Sequence, residues 1–225
     1  MTASCQEDEG LEEVVLYEYW RSSASYRVRI ALNLKGLAWR SVDVSLLKGD
    51  QTRPEHLARH PSGRVPILEI DGRRIGQSMA MIAYLDETRP APPLLPHHPA
   101  DRAYVRDLTD QIIADIHPLN NLSVLDRLRS QFGADDEAIA SWYRHWIVRG
   151  FGVLEQMLPS AGGVCFGDVP TLADIALVPQ VANSRRFNVD LSAFPNIARI
   201  DAALRAHPAF QAASPEAHPA ARSPG

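Results

Sequence analysis

A chain of 225 residues, 45% hydrophobic and 22% charged, has an ordinary globular composition and is long enough for one large domain or two small ones with a real core. Its net charge of −4 supplies no general pull toward nucleic acid or an anionic membrane, and no apolar run approaches a bilayer span. Two cysteines, Cys5 and Cys165, form neither a disulfide framework nor a CxxC redox centre, so the cytosol is the expected compartment.

Residues 1–12, with Glu7, Asp8, Glu9 and Glu12 and no apolar period, read as a loose tail. Val14 to Tyr19 is an apolar run short enough for a buried strand. Ser22 and Ser23 then stand where a helix N-cap belongs, and Val28, Ile30, Ala31, Leu32 and Leu34 give a broad apolar face that closes at Lys35–Gly36. A strand, a polar turn and a helix N-terminus make a mouth that favours an anion, because the first helical turn carries unpaired N–H groups and partial positive charge. Leu37 to Val44 predicts a second strand, and Pro54 opens a short helix in the polar stretch 46–60. Val65–Ile70 and Arg73–Ile75 predict two strands joined by an Asp71–Gly72 hairpin turn. Gln77–Thr88 reads as a helix with Met79, Ile82, Ala83 and Leu85 inward.

Residues 89–99 hold five prolines and the pair His97–His98, the composition of a linker between domains; two adjacent histidines without other ligands point to solvent rather than to a metal. Only helices are expected beyond Asp101. Arg102–Leu119 repeats apolar residues at Val105, Leu108, Ile112, Ile113 and Ile116 up to Pro118, which bends or ends it. Asn121–Leu128 starts another segment, and Asp136–Leu158 predicts a long helix carrying Trp142, Trp146, Phe151 and Leu154. Thr171 followed three residues on by Asp174 is a capping-box arrangement opening a buried helix. Asn196–His207 is the last expected helix, and the Pro/Ala-rich residues 214–225 read as a second loose tail.

The stretch WRSSASYRVRIAL, residues 20–32, resembles the signature of zeta-class glutathione transferases, a class that includes glutathione-dependent isomerases of maleylacetoacetate and of maleylpyruvate. The order β-α-β-α-β-β-α matches the thioredoxin-like fold of that family. The resemblance implies an α/β thioredoxin-like domain over residues 13–90, a linker over 91–100 and an all-helical domain over 101–213. It implies glutathione as cofactor, with its thiolate held at the first helix by Ser22 and Ser23. It also implies a cis Val65–Pro66 bond that frees Val65 to pair with the peptide as an added strand, Gln77 and Ser78 on the γ-glutamyl carboxylate, and Gln51 as a further contact. DIHPLNNLS, residues 115–123, resembles the segment that reaches glutathione, which brings in His117, Asn121 and Ser123; His117 and Asn121 share a helix face if the turn persists through Pro118. VPQVANSRRFNVDL, residues 178–191, resembles the segment whose arginine binds a substrate carboxylate, here Arg186, with Arg21 as the second substrate cation.

Arginine suits that role through its bidentate fork, although 21 of the 23 basic residues are arginines and each carries correspondingly less weight. Arg27 and Arg29 read as structural charges. The sequence departs from the family's Ser-Ser-Cys at Ala24, from which altered glutathione affinity is expected rather than lost chemistry. The activity implied is cis–trans isomerisation of maleylacetoacetate to fumarylacetoacetate in tyrosine and phenylalanine catabolism, by a homodimer acting on a small dicarboxylate. IALNLKG and QFGADDEAI resemble the maleylpyruvate enzymes, while Leu122–Ser123 matches the maleylacetoacetate side. Conjugation of halo-acids and a non-catalytic glutathione-fold binding protein are the remaining alternatives.

Overall fold

The computed structural model describes residues 13–222; Cys5 and the expected tail at 1–12 lie outside the described residues. Four short strands, β1 (Val15–Glu18), β2 (Arg40–Asp43), β3 (Ile67–Ile70) and β4 (Arg73–Gly76), form one mixed sheet in the order β2-β1-β3-β4. β1 runs parallel to β2, pairing Val15 with Arg40, and antiparallel to β3, pairing Leu16 with Leu68. The β3–β4 hairpin turns at Asp71 and Gly72, both at positive φ, the conformation that an Asp-Gly pair supplies at least cost. β2 is shorter than its apolar signal, since Leu37 and Trp39 pack on the core from the loop ahead of it.

Helix α1 (Ser23–Leu34) lies against α3 (Ser78–Thr88) on one side and against helical-domain elements on the other, so most of its residues are buried, Arg27 and Arg29 included. Short α2 (Pro54–Leu57) starts at its proline as expected. In α3 the inward set is Ser78, Met81, Ile82 and Leu85, while Ala83 faces solvent; the 3.6-residue period that buries Ser78 at the first turn carries the face through 81 and 82 instead.

The proline-rich linker is welded in place rather than loose. Leu94 is buried, its N–H donates to Asp86 at 2.9 Å, its carbonyl accepts from Leu172 N at 2.9 Å, and Lys35 Nζ reaches Asp86 at 2.7 Å. His98 caps α4 (Pro99–Ile113) by accepting from Ala100 N, so the helical part begins two residues ahead of 101. The expected helix through Leu119 stops at Ile113, because Pro118 lacks an N–H and disfavours a helical residue ahead of it. Residues 114–120 instead make turns fastened to α6 (Asp136–Met157) by Trp142 Nε1 donating to Leu119 O at 2.9 Å and Asn120 Nδ2 to Tyr143 O at 3.3 Å. α5 (Leu122–Phe132) lies between them in sequence.

α7 (Leu172–Arg186) is buried almost all round and packs on both α1 and α4, which joins the two halves into one continuous apolar core. Its start is the anticipated capping box: buried Asp174 accepts from Thr171 N at 2.7 Å and Thr171 Oγ1 at 2.8 Å, and also from Cys165 N at 2.7 Å. α8 (Pro195–Arg205) is not the last helix. α9 (Pro208–Ala213) docks on α1, with its carbonyls accepting from Tyr26, Arg29 and Asn33. The expectation of a loose tail from Ser214 is likewise corrected. Residues 215–217 and 219–222 form 3₁₀ turns, and His218 is buried against Glu18 and Ser41 under the sheet edge. Pro/Ala composition reads as a tail only when such distant partners are invisible.

Candidate active site

The N-terminus of α1 opens into a cleft of about 670 Å³ between the sheet domain and the helices. Ser22 is the N-cap, its Oγ accepting from Ser25 N at 3.2 Å, which leaves its hydroxyl hydrogen free to donate into the cleft. Ser23 Oγ sits 3.3 Å from His117 Nδ1. Burial, and then the charges of Arg27 and Arg64, push the His117 pKa down to about 3, so the imidazole is neutral at physiological pH. Ala24 lies on the same wall, where a cysteine would add a second thiol to the cleft.

Of the sequence-predicted residues, Arg21, Ser22, Ser23, Gln51, Val65, His117, Asn121, Ser123 and Arg186 all line this one cleft. The shared helix face expected for His117 and Asn121 does not exist: His117 stands in a turn and Asn121 is the N-cap of α5. The turn brings them together by another route. Asn121 Oδ1 accepts from Ser123 N at 3.1 Å and Ser123 Oγ at 2.9 Å, so only the Asn121 amide remains to donate elsewhere. Gln51 Oε1 is buried without a partner, a vacancy that suits an N–H donor.

Gln77 and Ser78 fall outside this cleft, at the start of α3 beside the Val65–Pro66 bond, which is cis. The register that sets Ile67 opposite Gly76 places the two dipeptides on adjoining strand ends. Gln77 has φ +68 with no capping side chain, a strained backbone of the kind that collects at ligand clamps.

The cleft is cationic although the chain is not. Arg21, Arg64, Arg129 and Arg186 line it, with Asp126 as the single acid among the described residues there. Arg21 is stacked 4.9 Å over Trp20 and donates to Tyr19 Oη at 2.8 and 3.2 Å. Arg186 donates to Asn183 at 3.2 Å. Neither has an acidic partner among the described residues, whereas Arg129 pairs with Asp136 at 3.0 Å. The far wall is Tyr143 stacked on Phe187 at 3.6 Å, with burial holding the phenol at about 12. Sequence reasoning missed Arg64, Tyr19, Asn183 and Tyr143. An arginine in an arginine-rich chain and aromatics at core periods carry no local mark of a cleft. Arg64 alone had a usable signal, its adjacency to Val65.

Residues 16–93 match the family model "Glutathione S-transferase, N-terminal domain". A maleylacetoacetate isomerase of Rhizobium meliloti is 52% identical over 91% of this chain and 97% of its own length. The holo structure of a maleyl pyruvate isomerase, described as a bacterial zeta-class glutathione S-transferase, superposes with a TM-score of 0.89 at 44% identity, covering 91% of this chain and 98% of that one. A maleylacetoacetate isomerase structure from Anaeromyxobacter dehalogenans, with bound dicarboxyethyl glutathione and citrate, gives 0.82 at 42% identity over 93% and 97%. With half its residues shared over nearly full length and the same fold, the chain belongs to the zeta class of the glutathione transferases.

Proposed function

We propose that the protein is a glutathione-dependent cis–trans isomerase of maleylacetoacetate, acting in tyrosine and phenylalanine breakdown as a cytosolic homodimer. The observation that carries this reading is that Arg21 and Arg186, without acidic partners among the described residues, line one cleft together with the hydroxyl-bearing N-terminus of α1. The residues present fit glutathione: Gln51 has an unused buried acceptor, and Val65 and the α3 N-terminus adjoin the cleft. When bound, glutathione supplies a thiolate that adds reversibly to the conjugated cis double bond and is released unchanged once the bond has rotated.

Ser22 donates a hydrogen bond to the sulfur, and the α1 dipole favours its anionic form. Ser23 is held by neutral His117, which positions the serine without adding charge. Arg21 and Arg186 take the two substrate carboxylates and so fix the alkene relative to the helix mouth. Stacking of Arg21 on Trp20 and tethering of Arg186 to Asn183 restrict both forks before substrate arrives.

Maleylpyruvate is the second reading, favoured by the 44% identical structure of that isomerase. The two substrates differ by one methylene between their carboxylates, which one pocket separates by only about 10- to 200-fold. The test is glutathione-dependent turnover of both, side by side, in wild type and Ser22→Ala. A preference for maleylacetoacetate, with turnover about 100-fold lower in Ser22→Ala, supports the proposal, and a preference for maleylpyruvate replaces it with the second reading. Binding of glutathione without turnover of either leaves a non-catalytic role. Ala24→Cys tests the signature departure: a change in glutathione affinity is expected, and a rise in turnover by orders of magnitude overturns the view that Ala24 is neutral for chemistry.

A further inference from the structure

Arg27 is only 2% exposed and sits inside the domain junction. Two residues on, Arg29 is equally buried but fully matched: it pairs with Glu18 and donates to the carbonyls of Ala213 at 2.7 Å and Trp20 at 3.1 Å. Arg27 has no such company. Its Nε donates to Ser78 Oγ at 3.2 Å, its Nη1 is buried with no partner, and no carboxylate pairs with it among the described residues. Burial pulls its pKa down to about 10 with no neighbouring anion opposing. A buried charge left uncompensated destabilises a fold, so this one asks for an anion that the described residues do not supply.

Its one side-chain hydrogen-bond partner among the described residues indicates where that anion sits. Ser78 is the first residue of α3, an eleven-residue helix whose opening N–H groups are unpaired. Because Arg27 donates to Ser78 Oγ, the Ser78 hydroxyl hydrogen is directed away from Arg27, toward whatever lies at the helix mouth. A carboxylate oxygen accepting from it at about 2.7 Å lies within about 6 Å of the guanidinium. We propose that Arg27 is the buried counter-charge for the α-carboxylate of glutathione, a positioning residue acting through Ser78 at the N-terminus of α3. This rests on the glutathione reading above. It revises the sequence-based assignment of Arg27 as a structural charge, which the geometry supports for Arg29 alone.

The test compares glutathione with 4-aminobutanoyl-cysteinylglycine, the same tripeptide lacking only that carboxylate. Dissociation constants are measured by calorimetry on wild type, Arg27→Met, Arg27→Lys and Ser78→Ala, together with ligand-free Tm. Wild type is expected to prefer glutathione by about 10- to 100-fold. Arg27→Met weakens glutathione alone and brings the preference to within about threefold, the loss of one charge-assisted contact. Arg27→Lys keeps part of it, and Ser78→Ala reproduces the loss should the Arg27 variants fold poorly. Ligand-free Tm of Arg27→Met stays level or rises, because an unpaired buried charge has gone. Equal weakening of both peptides, or an intact preference with a lowered Tm, overturns the proposal and makes Arg27 structural. Failure of wild type to bind either peptide overturns the glutathione reading itself, and the assignment with it.

Discussion

Two glycines on α6, two residues apart, should answer the same substitution with opposite signs. A Cβ on Gly152 meets nothing within 4 Å, whereas a Cβ on Gly150 lies 2.3 Å from both Cδ1 and Cγ1 of Ile116. Gly→Ala inside a helix gains up to about 1 kcal/mol from backbone entropy, and that is the whole effect expected at Gly152. At Gly150 the same gain is set against overpacking of about 1–3 kcal/mol, for a net loss of up to about 2 kcal/mol. For a chain of this size each kcal/mol moves Tm by about 2–4 °C, so Gly150→Ala should melt up to about 8 °C lower and Gly152→Ala slightly higher.

The consequence for the site is specific. Ile116 is fully buried and precedes His117 in the turn, and His117 is 3.3 Å from Ser23. Displacing Ile116 moves His117, and loss of a neutral hydrogen bond of about 1 kcal/mol weakens glutathione binding by about fivefold. Ile116→Ala in the Gly150→Ala background makes room and should recover part of the affinity, giving a coupling of about 1 kcal/mol or more. Thermal melts and glutathione titrations of wild type, Gly150→Ala, Gly152→Ala, Ile116→Ala and the Gly150→Ala/Ile116→Ala double variant decide it. Equal Tm for the two glycine variants, or unaltered affinity in Gly150→Ala, refutes the idea that this contact sets the His117 turn.

Asp174→Ala strips the acceptor from Thr171 N and Cys165 N inside the core and should cost about 3–5 kcal/mol in urea unfolding; a cost under about 1 kcal/mol would show that the box is incidental. His117 has a native pKa of about 3 against about 6.5 when unfolded, so the unfolded chain takes up a proton that the native state refuses. Stability is therefore full above pH 6.5 and falls as pH drops toward 3, with about 1 kcal/mol lost from pH 7 to 5.5. His117→Asn should flatten that segment of the ligand-free profile, while Glu18, held below its usual 4.5 through its bonds to His218, Arg29 and Ser41, contributes only at lower pH; an unchanged slope contradicts the assignment. Gln77→Gly relieves the φ of +68 and should raise ligand-free stability by about 0.5–1 kcal/mol while weakening glutathione binding, and a variant that binds as tightly as wild type would remove Gln77 from the site.

Local chemistry was sufficient for the parts of the molecule whose partners are close in sequence. The N-cap at Ser22, the Asp71–Gly72 turn, the Thr171–Asp174 box and the alternation of strands and helices all depend on residues within about four positions of one another. These were legible, and with them the anion-favouring mouth of α1. Nine of the predicted site residues line one cleft; all but Gln51 and Val65 belong to the short signature segments. What the tertiary structure decided depends on contacts across the chain. His117 and Asn121 meet through a turn braced by Trp142, not along a helix. Residues 214–222 are ordered by Glu18 and Ser41, some 200 and 177 positions away from His218. Arg27 and Arg29, two positions apart and alike in sequence, differ because only Arg29 faces Glu18 and the Ala213 carbonyl of α9, while Arg27 faces Ser78. A charge's role is set by what solvates it once water is excluded, and for buried groups those partners come from elements that folding alone brings together.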